Sequence, residues 1–125
     1  GLEDWIPTLL DLIGGKKAVP DNVDGLSIAN VLRGRKQNPR PFLYREFSGY
    51  GGQQAVWVGR WKGIRQNILR KNNKQPLRIQ LYDLEADISE SNNIATEKPK
   101  IVARLRRLMS REHTASEFYP IHPLD

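Results

Sequence analysis

The stretch Gln54-Ala55-Val56-Trp57-Val58-Gly59-Arg60-Trp61-Lys62-Gly63-Ile64-Arg65 decides the fold. β-Branched and aromatic residues lie on both sides of Gly59-Arg60, a two-residue loop of the Gly-X kind that matches the twist of paired antiparallel strands. The pattern predicts strands over 54–58 and 61–65. Period two continues upstream, where Phe42 to Phe47 reads as a strand. It resumes beyond the polar loop Asn72-Asn73-Lys74-Gln75-Pro76, where Leu77, Ile79 and Leu81 alternate with Arg78, Gln80 and Tyr82. Four short strands joined by turns predict an antiparallel sheet.

Helical spacing appears at both ends of the chain. Ile101, Val102, Leu105, Leu108 and Met109 form one apolar stripe, with Thr96 as the expected cap and Pro99 in the first turn. The stripe should cover one sheet face, with Met109 as core filler. A second helix is expected from Trp5 to Ile13, capped by Asp4, with Pro7 tolerated in its first turn and Gly14-Gly15 as its exit. Its residues Trp5, Ile6, Leu9, Leu10, Leu12 and Ile13 form a stripe too broad for one small sheet, so a larger partner or self-association is expected. Residues 14–40 read as a connector, with a short helix from Ser27 to Leu32 ended by Gly34. The expected architecture is α+β: a four-stranded antiparallel sheet packed against a C-terminal helix, with an N-terminal helical arm. Residues 1–40 form the arm and connector; residues 41–125 form the sheet, helix and tail.

Composition narrows the function. A chain of 125 residues with 38% hydrophobic content suits one modest core. It starts Gly1-Leu2 and its single Met is Met109, which leads to the expectation of a piece of a longer polypeptide. No apolar run approaches the roughly 20 residues a membrane helix needs. There is no Cys, hence no disulfide and no thiolate metal site. The net charge of +6 suits phosphate or sulfate polyanions, but Arg104, Arg106, Arg107 and Arg111 alternate with apolar positions as a solvated helix face does. No RNA-binding aromatic motif, zinc spacing or helix-turn-helix signal supports nucleic acid.

The order of several short motifs carries a family resemblance. They are Asp4-Trp5-Ile6-Pro7-Thr8-Leu9-Leu10, Asp24-Gly25-Leu26-Ser27, Gly59-Arg60-Trp61-Lys62-Gly63-Ile64-Arg65, Leu81-Tyr82-Asp83-Leu84, and then Asp87 through Asn93-Ile94-Ala95. Together they resemble the C-terminal domain of the arylsulfatase family of sulfate ester hydrolases. The tail from His113 through Ser116 to Pro120 resembles that of some bacterial members, and reads as an extended strap. The resemblance implies a parent sulfatase whose chemistry lies upstream, on a formylglycine made from Cys or Ser in a C/S-x-P-S-R motif beside a carboxylate-held calcium ion. This sequence has no such motif, so the chain alone is expected to be inactive and to carry no cofactor. The implied partners are the N-terminal catalytic domain of the same polypeptide, against which residues 1–40 would pack, and a sulfated substrate, carbohydrate by class. The family also implies a periplasmic or secreted enzyme, while the residues themselves assign no compartment.

Candidate site residues are few. Ser48-Gly49-Tyr50-Gly51-Gly52-Gln53-Gln54 reads as a glycine-rich loop bordering substrate, with Tyr50 as a sugar-stacking ring and Gln53 and Gln54 as hydroxyl binders. It resembles a G-G-x-Q-A-V stretch of the family. Arg65 and His113 are candidate cations for a sulfate. Asp83, Glu85, Asp87 and Glu90 raise calcium, but an EF-hand needs Gly and Glu where Ile88 and Ile94 stand. They fit better a turn in which Asp and Asn side chains bond nearby amides. His113 with Ser116 lacks an orienting third group and an oxyanion donor, and Glu46 with Asp83 reads as surface charge, so no catalytic residue and no metal site is assigned. A basic module binding sulfated glycan or nucleic acid remains the alternative to an accessory domain.

Overall fold

The computed structural model describes residues 1–37 and 39–125, which form two compact units, 1–40 and 41–125. The second unit is an antiparallel sheet in the order β1 (Leu43–Phe47), β2 (Gln53–Val58), β3 (Trp61–Gln66) and β4 (Gln80–Asp83). Gly59, at φ 57°, turns β2 into β3, and Val58 faces Trp61 across that hairpin. The α+β expectation holds: one face carries the C-terminal helix, Pro99–Glu112, called α3 below.

Leu105 and Met109 from α3 close a core with Val56, Val58, Ile79 and Leu81, while Ile101, Val102 and Leu108 pack at its margin. Gly63 sets how near the helix sits. It lies between Val56 and Leu81 in the sheet register, and a Cβ there would stand 2.8 Å from Leu105 Cδ1. The missing side chain is therefore space that Leu105 occupies. Pro99 opens α3 as its spacing requires, but the N-cap position falls on Lys98, not Thr96. The acidic turn before it is held as its Asp and Asn pattern implies. Asp87 accepts from the Ser91 and Asn92 amides, and Asn93 Oδ1 accepts from those of Leu81 and Ala95. Strand β4 starts at Gln80, later than its alternation implies; Ile79 is buried and Leu77 is exposed.

In the first unit α1 spans Trp5–Leu12, continuous with a 3-10 turn over Leu2–Asp4, and α2 spans Ala29–Leu32. Asp4 holds the N-cap position but makes no side-chain cap. Its carboxylate instead accepts from the Leu26 amide at 2.8 Å and from Arg40 at 2.5 Å. Thr8, fully buried, donates to Asp4 O and accepts from the Ile28 amide at 3.0 Å. Burial opposes ionisation of Asp4, yet the Gly1 ammonium, the Leu26 amide and Arg40 together lower its pKa to about 2. Polar contacts thus fold the connector onto α1, while Trp5, Ile6, Leu9 and Ile13 stay exposed.

Because Leu105 fills the space over Gly63, Leu105→Ala should leave a cavity and cost about 2–5 kcal/mol of unfolding free energy. Urea denaturation followed by far-UV dichroism checks this, beside Lys100→Ala on the exposed side of the same helix. A loss no larger than that of the Lys100 variant would show that the sheet and α3 do not share one core.

Candidate functional site

Three of the five candidate residues meet in one polar row that crosses the sheet beneath the end of α3. Register makes Glu46, Gln54 and Arg65 direct neighbours on β1, β2 and β3. Gln54 is 1% exposed and Arg65 is 4% exposed. Gln54 Nε2 donates to Tyr44 Oη at 2.7 Å and to Met109 O of α3 at 3.3 Å, and its Oε1 accepts from Arg65 Nη1 at 2.7 Å. The amide orientation is forced, since the reverse would set two donors face to face. Arg65 Nε donates to Leu77 O at 3.0 Å, which pins the chain leading into β4.

The row continues to the tail. Tyr44 Oη donates to Glu46, and Glu46 Oε2 lies 2.9 Å from His113 Nδ1, whose other nitrogen lies 3.0 Å from Asp125 Oδ1. Burial, and then the Glu46 carboxylate, push the Tyr44 pKa up, so the phenol remains a donor. Burial works against a charged His113, but the carboxylates of Glu46 and Asp125 outweigh it and raise its pKa. Burial, followed by the field of Arg106, lowers that of Arg65.

The other two candidates lie elsewhere. Gln53 is the first residue of β2, not part of a loop, and alternation turns it to the face opposite Gln54. The loop proper is 48–52. Tyr50 tops it, 80% exposed at φ 51°, with its ring 6.0 Å from that of Phe47. Gly51 and Gly52 have positive φ, and their carbonyls accept from the Leu69 and Ile68 amides at 2.8 and 3.1 Å. A Cβ on Gly51 would stand 3.0 Å from Arg70 Nε, so two loops are pressed together here and the glycine-rich loop is built in place. The exposed rings of Tyr50 and Phe47 form an aromatic edge beside it.

The carboxylates on the acidic turn do not fit a calcium site. Asp83 holds Arg60 in a two-nitrogen pair, Glu85 lies 3.0 Å from the same guanidinium, Glu90 binds Lys62 at 2.6 Å, and Asp87 caps amides. No three His, Asp or Glu side chains converge as metal ligands among the described residues. Glu46 and Asp83, considered as a pair from sequence, serve different partners. Tyr44 and Asp125 were not signalled by sequence, since only folding brings His113 from 67 residues away to Glu46. Their one local sign is that Tyr44 and Glu46 share a strand face.

Comparison with known proteins then supplies a family. The family described as N-sulphoglucosamine sulphohydrolase, C-terminal, matches residues 3–115. Arylsulfatase K of Mus musculus is 33% identical over 114 residues, covering 83% of this chain and 19% of that protein. N-acetylgalactosamine-6-O-sulfatase of Bacteroides thetaiotaomicron is 30% identical over 107 residues, 78% of this chain and 19% of that protein. A structure solved with its substrate D-glucosamine-2-N,6-O-disulfate superposes at TM-score 0.66 and 25% identity, covering 86% of this chain and 22% of that one. The chain therefore spans about a fifth of the length of these relatives.

Against the opposing effect of burial, Glu46 and Asp125 raise the pKa of His113, which should make the tail attachment pH-dependent. Stabilisation by charged His113 should be complete below about 6.5, the unfolded value, and vanish as pH rises through the higher folded value. Wild type should thus exceed His113→Gln in urea stability most at pH 5.5 and least at pH 9, with the ring titrating above 6.5 by NMR. A pH-independent difference between the two would mean that His113 acts by packing alone.

Proposed function

The chain belongs to the family of C-terminal domains of N-sulphoglucosamine sulphohydrolases, and from that premise we propose that it is the accessory domain of a sulfuric ester hydrolase. The single observation that carries this reading is the family match over nearly the whole chain, set against a chain that spans only about a fifth of its relatives. Bond breaking is assigned to the rest of the parent polypeptide. Formylglycine and calcium, if the parent uses them, would be held there, because the residues present here fit neither. Sulfated carbohydrate is the proposed substrate class, supported by the sugar sulfates named in relatives such as N-acetylgalactosamine-6-O-sulfatase and the D-glucosamine-2-N,6-O-disulfate complex.

Within that role the two units divide the work. The exposed face of Trp5, Ile6 and Leu9 is proposed to pack on the catalytic domain. Without that domain, the chain should self-associate through this face. Sedimentation of wild type beside a Trp5→Ser, Leu9→Ser variant tests the point; monomeric wild type at high concentration would argue that the face needs no cover.

The 48–52 loop, with Gln53 at its base, is proposed to border the substrate, since its aromatic edge is exposed while its backbone is fixed. Losing a stacking ring of this kind costs about 0.5–1.5 kcal/mol, roughly a two- to tenfold change. In the full-length enzyme Tyr50→Ala should raise KM by that factor and leave kcat near wild type. The 125-residue chain should show no turnover of an aryl sulfate. An unchanged KM would remove the loop from the substrate's path, and turnover by this chain alone would overturn the accessory role.

A further inference from the structure

Arg65 is buried with its charge uncompensated. Two of its nitrogens are committed to neutral acceptors, Gln54 Oε1 and Leu77 O, and among the described residues no carboxylate pairs with it. Its remaining nitrogen, Nη2, makes no hydrogen bond among the described residues, and Arg65 lines an open cleft of about 710 Å3 between the β3–β4 connection and the exposed side of α3. Arg78 and Arg106 line the same cleft with Ser110, Leu77 and Leu124, and among the described residues no acidic side chain lines it. Among the described residues Arg78 has only Gln75 Oε1, at 3.4 Å, and Asp125, which follows the cleft wall at Leu124, is engaged by His113 and the Ile121 amide. Several acids of this unit, Asp83, Glu85, Glu90 and Glu112, are placed against cations elsewhere, whereas three arginines line this cleft. A buried charge held only by neutral oxygens is costly, and an oxyanion presenting several acceptors would relieve it.

We propose that this cleft is an anion site which takes the sulfate group of a sulfated sugar, with Arg65 at its floor and Arg78 and Arg106 at its rim. That the anion is a sugar sulfate rests on the sulfatase reading above; that the cleft takes an oxyanion rests on the arginines alone. A second arginine-lined hollow, formed by Arg104, Arg107 and Arg111 over Phe42, lacks a buried guanidinium. Its Arg111 is already paired with Glu112 and stacked on Phe42. That hollow serves as the internal control.

The test is NMR of the Arg65 Nε–H resonance in the 125-residue chain, titrated with sodium sulfate, glucosamine 6-sulfate and glucosamine at constant ionic strength. Sulfate and glucosamine 6-sulfate should shift the signal saturably, the sugar sulfate binding about fivefold tighter and glucosamine not at all. Arg65→Met could unfold the sheet, so the decisive variant is Arg78→Gln with Arg106→Gln, both exposed, which should weaken binding about tenfold or more. Arg107→Gln should leave it unchanged. No saturable shift with either anion overturns the site. Sulfate binding without preference for the sugar sulfate overturns the ligand assignment, and equal weakening by Arg107→Gln reduces the effect to general charge. None of these outcomes bears on the Tyr50 kinetics, so the site can fail while the accessory role stands.

Discussion

The carboxamide of Gln54 is the interaction on which the second unit depends. It is sealed under α3 and joins three strands, a helix end and, through Tyr44 and Glu46, the tail. Arg65 brings a permanent charge into the interior, and removing the Gln54 oxygen would leave that charge with one fewer acceptor at a cost well above that of an ordinary hydrogen bond. A slip of one residue in β2 would put Gln53 or Ala55 opposite Arg65 and turn Val56 and Val58 to the wrong face. Apolar burial selects the same register as the polar row, so the two reinforce each other.

Gly63 supplies the complementary constraint. Helix and sheet can share a core only because Leu105 enters where a side chain would have been. This close approach also lets Met109 O reach the Gln54 amide. A methyl group on the wrong residue would therefore act on the polar row as well as on the apolar core.

Much of this architecture was legible because it is local. Gly59 marks the hairpin, period two marks the strands, and the Leu105-Met109 stripe marks α3 before any contact is known. Boundaries shifted where side chains took up backbone groups. From 12 residues away Arg65 takes the carbonyl of Leu77, and β4 begins only at Gln80; locally, Asn93 takes the Ala95 amide, and α3 opens at Pro99 beyond Thr96. The candidate site was half legible for the same reason. Arg65, Gln54 and His113 are identifiable as unusual polar residues, but their burial follows from partners 10 to 67 positions away. The exposed loop position of Tyr50 could be read from glycine-rich sequence alone, since it lies on the surface where local chemistry governs. Gln53 could not be separated from Gln54 until the start of β2 set which face each takes.

The positive charge of this protein is best understood by where its acids go. The net value of +6 is a modest excess for 34 charged residues, 20 basic and 14 acidic, and does not by itself create a binding surface. In the second unit Asp83 and Glu85 are spent on Arg60, Glu90 on Lys62, Glu46 on Tyr44 and His113, and Asp87 on backbone amides. These commitments serve turns, a strand pairing and the tail, and Arg65, Arg78 and Arg106 line one cleft in whose wall no acid stands among the described residues. Local folding requirements thus produce a concentrated field that composition cannot reveal. Because Arg65 belongs both to that cleft and to the Gln54 row, an anion drawn to the cleft would act on the same guanidinium that ties β3 to β2 and fixes the approach to β4. Charge recognition at the proposed site would therefore be coupled to strand order through one side chain.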